Sequence, residues 1–235
     1  MTQMTPITQL AQMTRVRRLG VLAIIATVAM ALPAGAQTTV RRSAPSRSIE
    51  IGGYAMVGNF TFAASDSFDA VLGTHSGTIL GGGATVGLPW GGLFMDVGAW
   101  QYAAEGERVL VLDGQVYPLG IPVDVKVVPL EISAGWKFRF RRLPKLIPYA
   151  AAGYTSMGYK ETSSFAGRGE DVDERFGGYH LRGGAEFKLT RWLGVAGEVA
   201  WTTIPDALGE GGVSKAFNED NLGGTSLRAR ITVGR

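Results

Sequence analysis

The sequence predicts an all-β fold: an eight-stranded antiparallel up-and-down transmembrane β-barrel behind an N-terminal signal peptide. Three observations predict it. Apolar and polar residues alternate with a period of two over eight separate segments. The connections between these segments alternate between short and long. After residue 36 no run of 18 apolar residues occurs, so no transmembrane helix is expected there and strands would do the crossing.

The first 36 residues have the pattern of a secretory signal peptide. Three arginines within 15–18 give a positive start, and 19–32 form an uncharged apolar stretch of 14 residues. The small residues 34–36 form a cleavage site, so the exported chain is expected to begin at Gln37. The alternative is an N-terminal membrane anchor, but 14 apolar residues are fewer than the roughly 20 that a spanning helix needs.

The charge balance gives no sign of a nucleic-acid partner. The first 36 residues hold three of the 23 basic residues and none of the 20 acidic ones, which leaves 20 of each in the exported part. A net charge near zero offers no electrostatic attraction to nucleic acid. The chain also has no cysteine, and a closed barrel needs no disulfide because its ladder of backbone hydrogen bonds has no free edge.

Eight strands can be marked in the barrel domain, 48–235, which follows a polar, flexible lead-in over 37–47. The clearest is 130–140, where every even position is apolar and every odd position is small or charged. Successive side chains of a strand point to opposite faces, so one face of this strand is apolar and the other polar. The predicted strands are 48–62, 76–88, 91–104, 122–140, 147–160, 178–189, 192–204 and 222–234.

The connections fall into two classes by length. Short ones are predicted at 89–90, 141–146 and 190–191, and long ones at 63–75, 105–121, 161–177 and 205–221. Outer-membrane barrels have short periplasmic turns and long extracellular loops, so their connections alternate in length in the same way. The second long loop holds the turn dipeptide Asp113-Gly114 between two apolar runs and can form a small hairpin of its own.

Aromatic residues gather near the ends of the predicted strands. Two aromatic girdles are expected where an apolar band meets water on both sides of a membrane. The alternative is that aromatic residues simply favour strands. The predicted girdle residues are Trp90, Trp136, Tyr149 and Trp192 near the short turns, and Trp100 and Trp201 near the long loops.

The polar strand faces carry charges that would point into the barrel if the apolar faces meet lipid. An interior of eight strands is just wide enough for side chains to fill, so these charges are expected to pair with one another. Glu198 is expected beside Arg182, Glu186, Arg228 and Arg230, since adjacent strands carry them. The alternative is a gated pore or proton path. The predicted interior charge network is Glu131, Lys137, Arg139, Arg182, Glu186, Glu198, Arg228 and Arg230; Glu50, Asp96 and Lys188 lie on the same faces.

No catalytic, cofactor-binding or metal-binding residue is predicted. His75 and His180 lack a convincing nucleophile arrangement. The acidic stretches 169–174 and 218–220 could offer oxygen ligands to Ca²⁺, but they lack the spacing of a calcium loop and are interpreted as solvated charge.

The segments 127–140 (VVPLEISAGWKFRF), 147–159 (IPYAAAGYTSMGY) and 181–201 (LRGGAEFKLTRWLGVAGEVAW) resemble small outer-membrane barrels of the opacity and OmpA types. The resemblance covers most of 48–234. It implies residence in the bacterial outer membrane, with membrane lipid and the periplasmic chaperone and barrel-assembly machinery as partners. Such barrels usually end in an aromatic residue, whereas this sequence ends with Gly234 and Arg235.

The function expected from these observations is non-enzymatic. A barrel with an occluded, charged interior would be structural or would present its loops at the cell surface for adhesion to a ligand that the sequence does not name. A narrow, porin-like channel for small solutes is the first alternative, and a lipid-modifying enzyme the second. A soluble secreted barrel with inverted faces is the rival fold.

Overall fold

The structure, a computed structural model, describes residues 49–112, 114–163, 172–209 and 211–234. The predicted signal peptide (1–36) and lead-in (37–47) lie outside these residues. The elements in chain order are β1 (Glu50–Phe62), α1 (Ser65–Leu72), β2 (Ser76–Gly87), β3 (Leu93–Leu112), β4 (Gln115–Lys137), β5 (Leu146–Thr162), β6 (Val172–Lys188), β7 (Leu193–Thr203), α2 (Gly212–Ala216) and β8 (Gly224–Gly234).

The eight strands form one closed barrel in which every strand pairs with its neighbours in the sequence. All pairings are antiparallel, and β1 closes the barrel by pairing with β8 from Gly52↔Gly234 to Phe62↔Gly224. The predicted eight-stranded antiparallel up-and-down barrel is therefore confirmed. Neither helix of the described part of the chain is long and apolar enough to cross a membrane.

The two faces of the barrel wall follow the alternation in the sequence. On β4, Ile132 is 47% exposed while its neighbour Ser133 is 3% exposed. On β8, Leu227 is 66% exposed and Arg228 is 2% exposed. The apolar residues thus face outward and the charged residues inward. The outward apolar belt consists of Val57, Leu80, Val97, Leu130, Ile132, Leu181, Val195, Val199, Leu227 and Ile231.

The two ends of the barrel differ in their connections. At the short-turn end, 88–92, 138–145 and 189–192 join consecutive strands. At the long-loop end, α1 lies in the connection after β1 and α2 in the connection after β7. The predicted long loop over 105–121 is instead strand, because β3 and β4 continue and pair as far as Leu112↔Gln115. The small hairpin predicted within this loop is thereby confirmed. A register shift between Glu107 and Val109 lies in the part of the hairpin beyond the pairing of β3 with β2, which ends at Gln101.

The interior near the long-loop end is filled by apolar side chains, which the sequence analysis did not predict. Phe68 of α1 stacks on Phe62 with ring centroids 3.9 Å apart, so the helix caps this filling. Burying so many large side chains stabilises the barrel strongly, since each contributes about 1.5–3 kcal/mol. We call this set the apolar core: Phe60, Phe62, Phe68, Ile79, Trp100, Tyr102, Val125, Val127, Met157, Ile204 and Leu222.

Candidate functional site

A layer of six charged side chains lies inside the barrel, adjoining the apolar core. They come from five strands, and each belongs to the inward-facing positions of its strand. Three are acidic and three are arginines, so the layer is neutral as a whole. Isolated buried charge is very costly, and a balanced set avoids that cost. We call it the charge layer: Asp96, Glu131, Arg182, Glu198, Arg228 and Arg230.

Glu131 and Arg228 form the best-aligned pair of the charge layer. The Nη2 and Nη1 atoms of Arg228 donate to Oε1 and Oε2 of Glu131, each at 2.8 Å. The indole of Trp100 donates a third hydrogen bond to Glu131 Oε1 at 2.7 Å. Arg228 also donates from Nε to the Ser226 hydroxyl at 2.8 Å. Charge-assisted hydrogen bonds in this fork geometry are strong and directional, so they fix both side chains.

Glu198 lies at the centre of the layer, among all three arginines. Its carboxylate oxygens are 3.2 Å from Arg230 Nη1, 3.5 Å from Arg228 Nη1 and 3.7 Å from Arg182 Nη1. The hydroxyl of Tyr149 donates to Glu198 Oε2 at 3.0 Å. Arg228 and Arg230 both reach Glu198 because residues two apart on a strand share a face. The single negative charge of Glu198 therefore offsets part of the positive charge of the three arginines.

Asp96 completes the layer on the side of β3. Its Oδ1 lies 2.9 Å from Arg182 Nη2 and accepts a hydrogen bond from the Tyr54 hydroxyl at 3.0 Å. Thr85 donates to the other oxygen at 2.8 Å. The guanidinium of Arg230 lies 3.8 Å from the centre of the Tyr54 ring. Alternation along the sequence predicts Asp96 on a polar face, but it does not predict Arg182 as its partner.

Three predicted members of the charge network lie outside the layer, at the short-turn end. Lys137 is paired with Glu186 at 3.9 Å, so Glu186 does not contact Glu198 as expected. The prediction that Arg139 points into the barrel was wrong. β4 ends at Lys137, and Arg139 lies beyond it, exposed and hydrogen-bonded to Glu50 at 2.8 and 2.9 Å.

Two of the six predicted girdle residues are inside the barrel. Trp100 and Tyr149 were wrongly assigned, because both are buried and donate hydrogen bonds to carboxylates of the charge layer. The remaining four are exposed on the outside. Trp90, Trp136 and Trp192 lie at the short-turn end, and Trp201 lies on β7 toward the other end.

His180 lies in the interior between two hydroxyls. Ser133 Oγ is 2.9 Å from His180 Nε2, and Thr155 Oγ1 is 2.7 Å from Nδ1. Sequence reasoning missed this contact with Ser133, which is formed by residues two strands apart. All three side chains are buried in the barrel interior. The arrangement is a hydrogen-bonded structural group and offers no accessible nucleophile.

The remaining candidate ligands are separated or already engaged. Among the residues that the structure describes, no group of three or more His, Asp or Glu could hold a metal ion. The acidic stretch 169–174 lies partly outside the described residues. In the stretch 218–220, Glu219 accepts hydrogen bonds from the first-turn amides of α1, Asp66 N at 3.1 Å and Ser67 N at 2.8 Å.

No family model and no curated protein matches the chain. Among solved structures, it is similar to Neisserial surface protein A (13% identity, 79% of this chain and 96% of that one, TM-score 0.48). It is also similar to the N-terminal β-barrel domain of Pseudomonas aeruginosa OprF (10%, 79% and 97%, 0.44). A third is Ail of Yersinia pestis, in complex with the heparin analogue sucrose octasulfate (12%, 78% and 97%, 0.45). At these values the likenesses carry no functional assignment.

Proposed function

We propose that the protein is a non-enzymatic barrel of the bacterial outer membrane that presents its long-loop end at the cell surface. The observation that carries the proposal is the apolar belt on the outside of a barrel with paired charges inside. A barrel that folds in water places its apolar side chains inside and its polar side chains outside. This chain does the reverse over the middle of its wall.

The strand lengths support a membrane-spanning role. β7 and β8 have 11 residues each. A tilted strand of about 9–11 residues crosses the hydrocarbon core of a bilayer. Trp90, Trp136 and Trp192 lie on the outside at the short-turn end, where aromatic side chains are favoured at the membrane–water boundary. The length of these two strands and the aromatic border at the short-turn end therefore fit a bilayer.

The orientation follows from the connections. Outer-membrane barrels place short turns toward the periplasm and long loops toward the outside. β1 begins and β8 ends at the short-turn end. The hairpin end at Leu112 and Gln115 and the two helices would then face the cell exterior, as a surface for contact with a ligand or another cell. Adhesion is the role that we propose for this surface.

The filling of the barrel supports a closed rather than a conducting structure. The apolar core fills the interior toward the long loops, and the charge layer adjoins it. At the short-turn end a small cavity of about 90 Å³, lined in part by Lys137, Glu186 and Arg230, reaches as far as Asp96 of the charge layer. For a narrow channel, the alternative function, the side chains of the apolar core would have to move out of the barrel interior.

Single cysteines provide a sharp test of the orientation, because the chain has none of its own. Gln115→Cys lies beside the hairpin tip, and Arg191→Cys lies in a short turn; both positions are exposed. In intact cells, a maleimide too large to cross the outer membrane is expected to label Gln115→Cys. It should label Arg191→Cys only after the outer membrane has been permeabilised. Labelling of both in intact cells, or recovery of the protein in the soluble fraction, would contradict the proposal.

Conductance separates the structural role from transport. The purified chain in planar bilayers is expected to show no steady conductance, whereas Phe60→Ala combined with Trp100→Ala, which empties part of the apolar core, should give transient openings. Ala55→Gly, on the outward face of β1, is the matched control. A steady open channel in the wild type would give first place to the transport function.

A further inference from the structure

A second, larger cavity lies at the long-loop end, where it adjoins the apolar core at Phe68 and Val125. Its volume is about 590 Å³, within the range of small-molecule sites. Its walls are α1, the extension of β3 and β4, the outer ends of β5 and β6, and the connection that holds α2. Most of these walls are apolar. The large apolar and aromatic side chains of these walls include Phe68, Leu72, Leu119, Tyr159, Phe176 and Leu208.

One polar group on the wall has no partner within the described residues. Ser67 of α1 is only 7% exposed, and its hydroxyl makes no hydrogen bond. Its backbone amide is already engaged, since it donates to Glu219. A buried hydroxyl without a partner costs free energy, because it has lost its hydrogen bonds to water. A positive charge in the cavity, toward which the hydroxyl oxygen can turn its lone pairs, would remove part of that cost.

The charged groups of the wall are mostly acidic. Glu161, Glu174 and Asp206 line the cavity, and Arg108 is the one basic residue among its described lining residues. Arg108 Nε lies 3.8 Å from Glu161, so its charge is shared with a carboxylate. The described lining thus carries an excess of two negative charges. A cationic ligand would be attracted and an anionic one repelled.

Aromatic rings add to the preference for a cation. Phe68, Tyr159 and Phe176 come from three different walls of the cavity. The Tyr159 hydroxyl donates to Glu161 at 3.2 Å. The faces of neutral aromatic rings attract organic cations within about 6 Å.

We infer that this cavity binds a small apolar cation, such as an aromatic or alkyl-substituted ammonium or phosphonium ion. The apolar walls would hold the body of the ligand, and the acidic groups and rings would hold its charge. This inference goes beyond the proposed surface role. It depends on the cavity alone, so cysteine labelling can fail while binding succeeds, and the reverse.

The test uses two probes of the same shape and opposite charge, tetraphenylphosphonium and tetraphenylborate. Equilibrium dialysis against the purified chain in non-ionic detergent measures binding, with empty micelles as the blank. We expect the cation to bind at least tenfold more tightly than the anion at low salt. The double variant Glu161→Gln, Glu174→Gln should weaken cation binding at least fivefold. Glu105→Gln, an exposed acidic residue of β3 outside the cavity, should leave it unchanged.

A second variant tests the place of binding. Gly211 lines the cavity, and a Cβ atom built there meets no atom within 4 Å, so Gly211→Trp can fill the space. It should abolish cation binding. Gly197→Trp is the matched control, because Gly197 is equally unobstructed but lies on β7, away from the cavity. Equal binding of both probes, no binding above the micelle blank, or cation binding unchanged in both the Gly211→Trp and the glutamine variants would overturn the inference.

Discussion

Arg228 and Glu131 form a two-point ion pair across the barrel, although β8 and β4 are not neighbours in the wall. The two residues are 97 positions apart in the sequence. Their contact connects opposite sides of the interior, whereas backbone hydrogen bonds connect only adjacent strands. The pair therefore resists a deformation that the wall alone does not, the flattening of the barrel.

Removing one side of this pair should be costly. Glu131→Ala leaves the buried Arg228 with its longer ion pair to Glu198 and its hydrogen bond to Ser226. Breaking a buried pair from one side costs about 3–5 kcal/mol. Glu131→Ala together with Arg228→Ala should cost less than the sum of the single losses. Urea unfolding of the refolded protein measures these free energies. Arg139→Ala, at an exposed pair, should cost no more than about 1 kcal/mol and is the control.

The same nonadditivity is expected around Glu198, which contacts three arginines. Glu198→Ala should destabilise the barrel by about 3–5 kcal/mol, because the carboxylate at the centre of the layer is lost. Combined with Arg228→Ala, it should again cost less than the sum. Strict additivity in this cycle would indicate independent, hydrated charges and would favour a pore.

Charge on the outward face should be tolerated only near the membrane borders. Ile132→Arg puts a cation in the middle of the apolar belt and should cost about 2–4 kcal/mol in vesicles. Phe140→Arg, beyond the end of β4, should cost about 0–1 kcal/mol. Equal costs at the two positions would show that the belt does not face hydrocarbon. Refolding titrations into lipid vesicles provide both values.

Glycine at position 81 should be needed for the packing of Trp100. A Cβ atom at Gly81 would come 2.7 Å from Trp100 Cα and would also contact the Ala99 carbonyl oxygen. Gly81→Ala is expected to destabilise the barrel by about 1–3 kcal/mol, the usual cost of overpacking. Gly197→Ala, where a Cβ atom meets nothing within 4 Å, should have little effect in the same unfolding assay.

The carboxylate of Glu219 should control the order of α1 without controlling the barrel. It accepts the amides of Asp66 and Ser67 at the positive end of the helix, an interaction of about 0.3–1 kcal/mol or somewhat more. Glu219→Ala should therefore speed hydrogen exchange at 65–72 while exchange in β1 remains slow. Asp124→Ala, an exposed acidic residue on β4, should change neither, and faster exchange throughout the barrel would contradict a local role.

The architecture could be predicted because one short-range rule governs the wall. Alternation along 130–140 fixes which side chains point outward, and the same parity holds for Leu227 and Arg228. Hydrogen bonding between consecutive strands then determines the topology. The neighbourhood of Glu198 with Arg182, Arg228 and Arg230 follows from that topology, since β6, β7 and β8 are adjacent.

The wrong predictions concern residues for which the alternation of side chains along a strand was not used, or does not determine where the side chain points. Trp100 shares parity with Asp96, so alternation would have placed it inside; its position near a strand end was given more weight. Arg139 lies after the last residue of β4, where alternation no longer decides direction. The pair of Glu131 and Arg228 depends on the barrel diameter, and no local pattern encodes a contact between opposite walls.

The closing seam between β1 and β8 has a consequence for how the chain reaches its final form. Its register pairs join the first described strand to the last, as in Asn59↔Leu227. Chains are made and exported from the N-terminus, so β1 is available long before β8. Until β8 arrives, one side of β1 has unpaired amides and carbonyls that could bind a strand of another molecule. The time between the appearance of the two strands is therefore the interval in which a holding chaperone would be most needed.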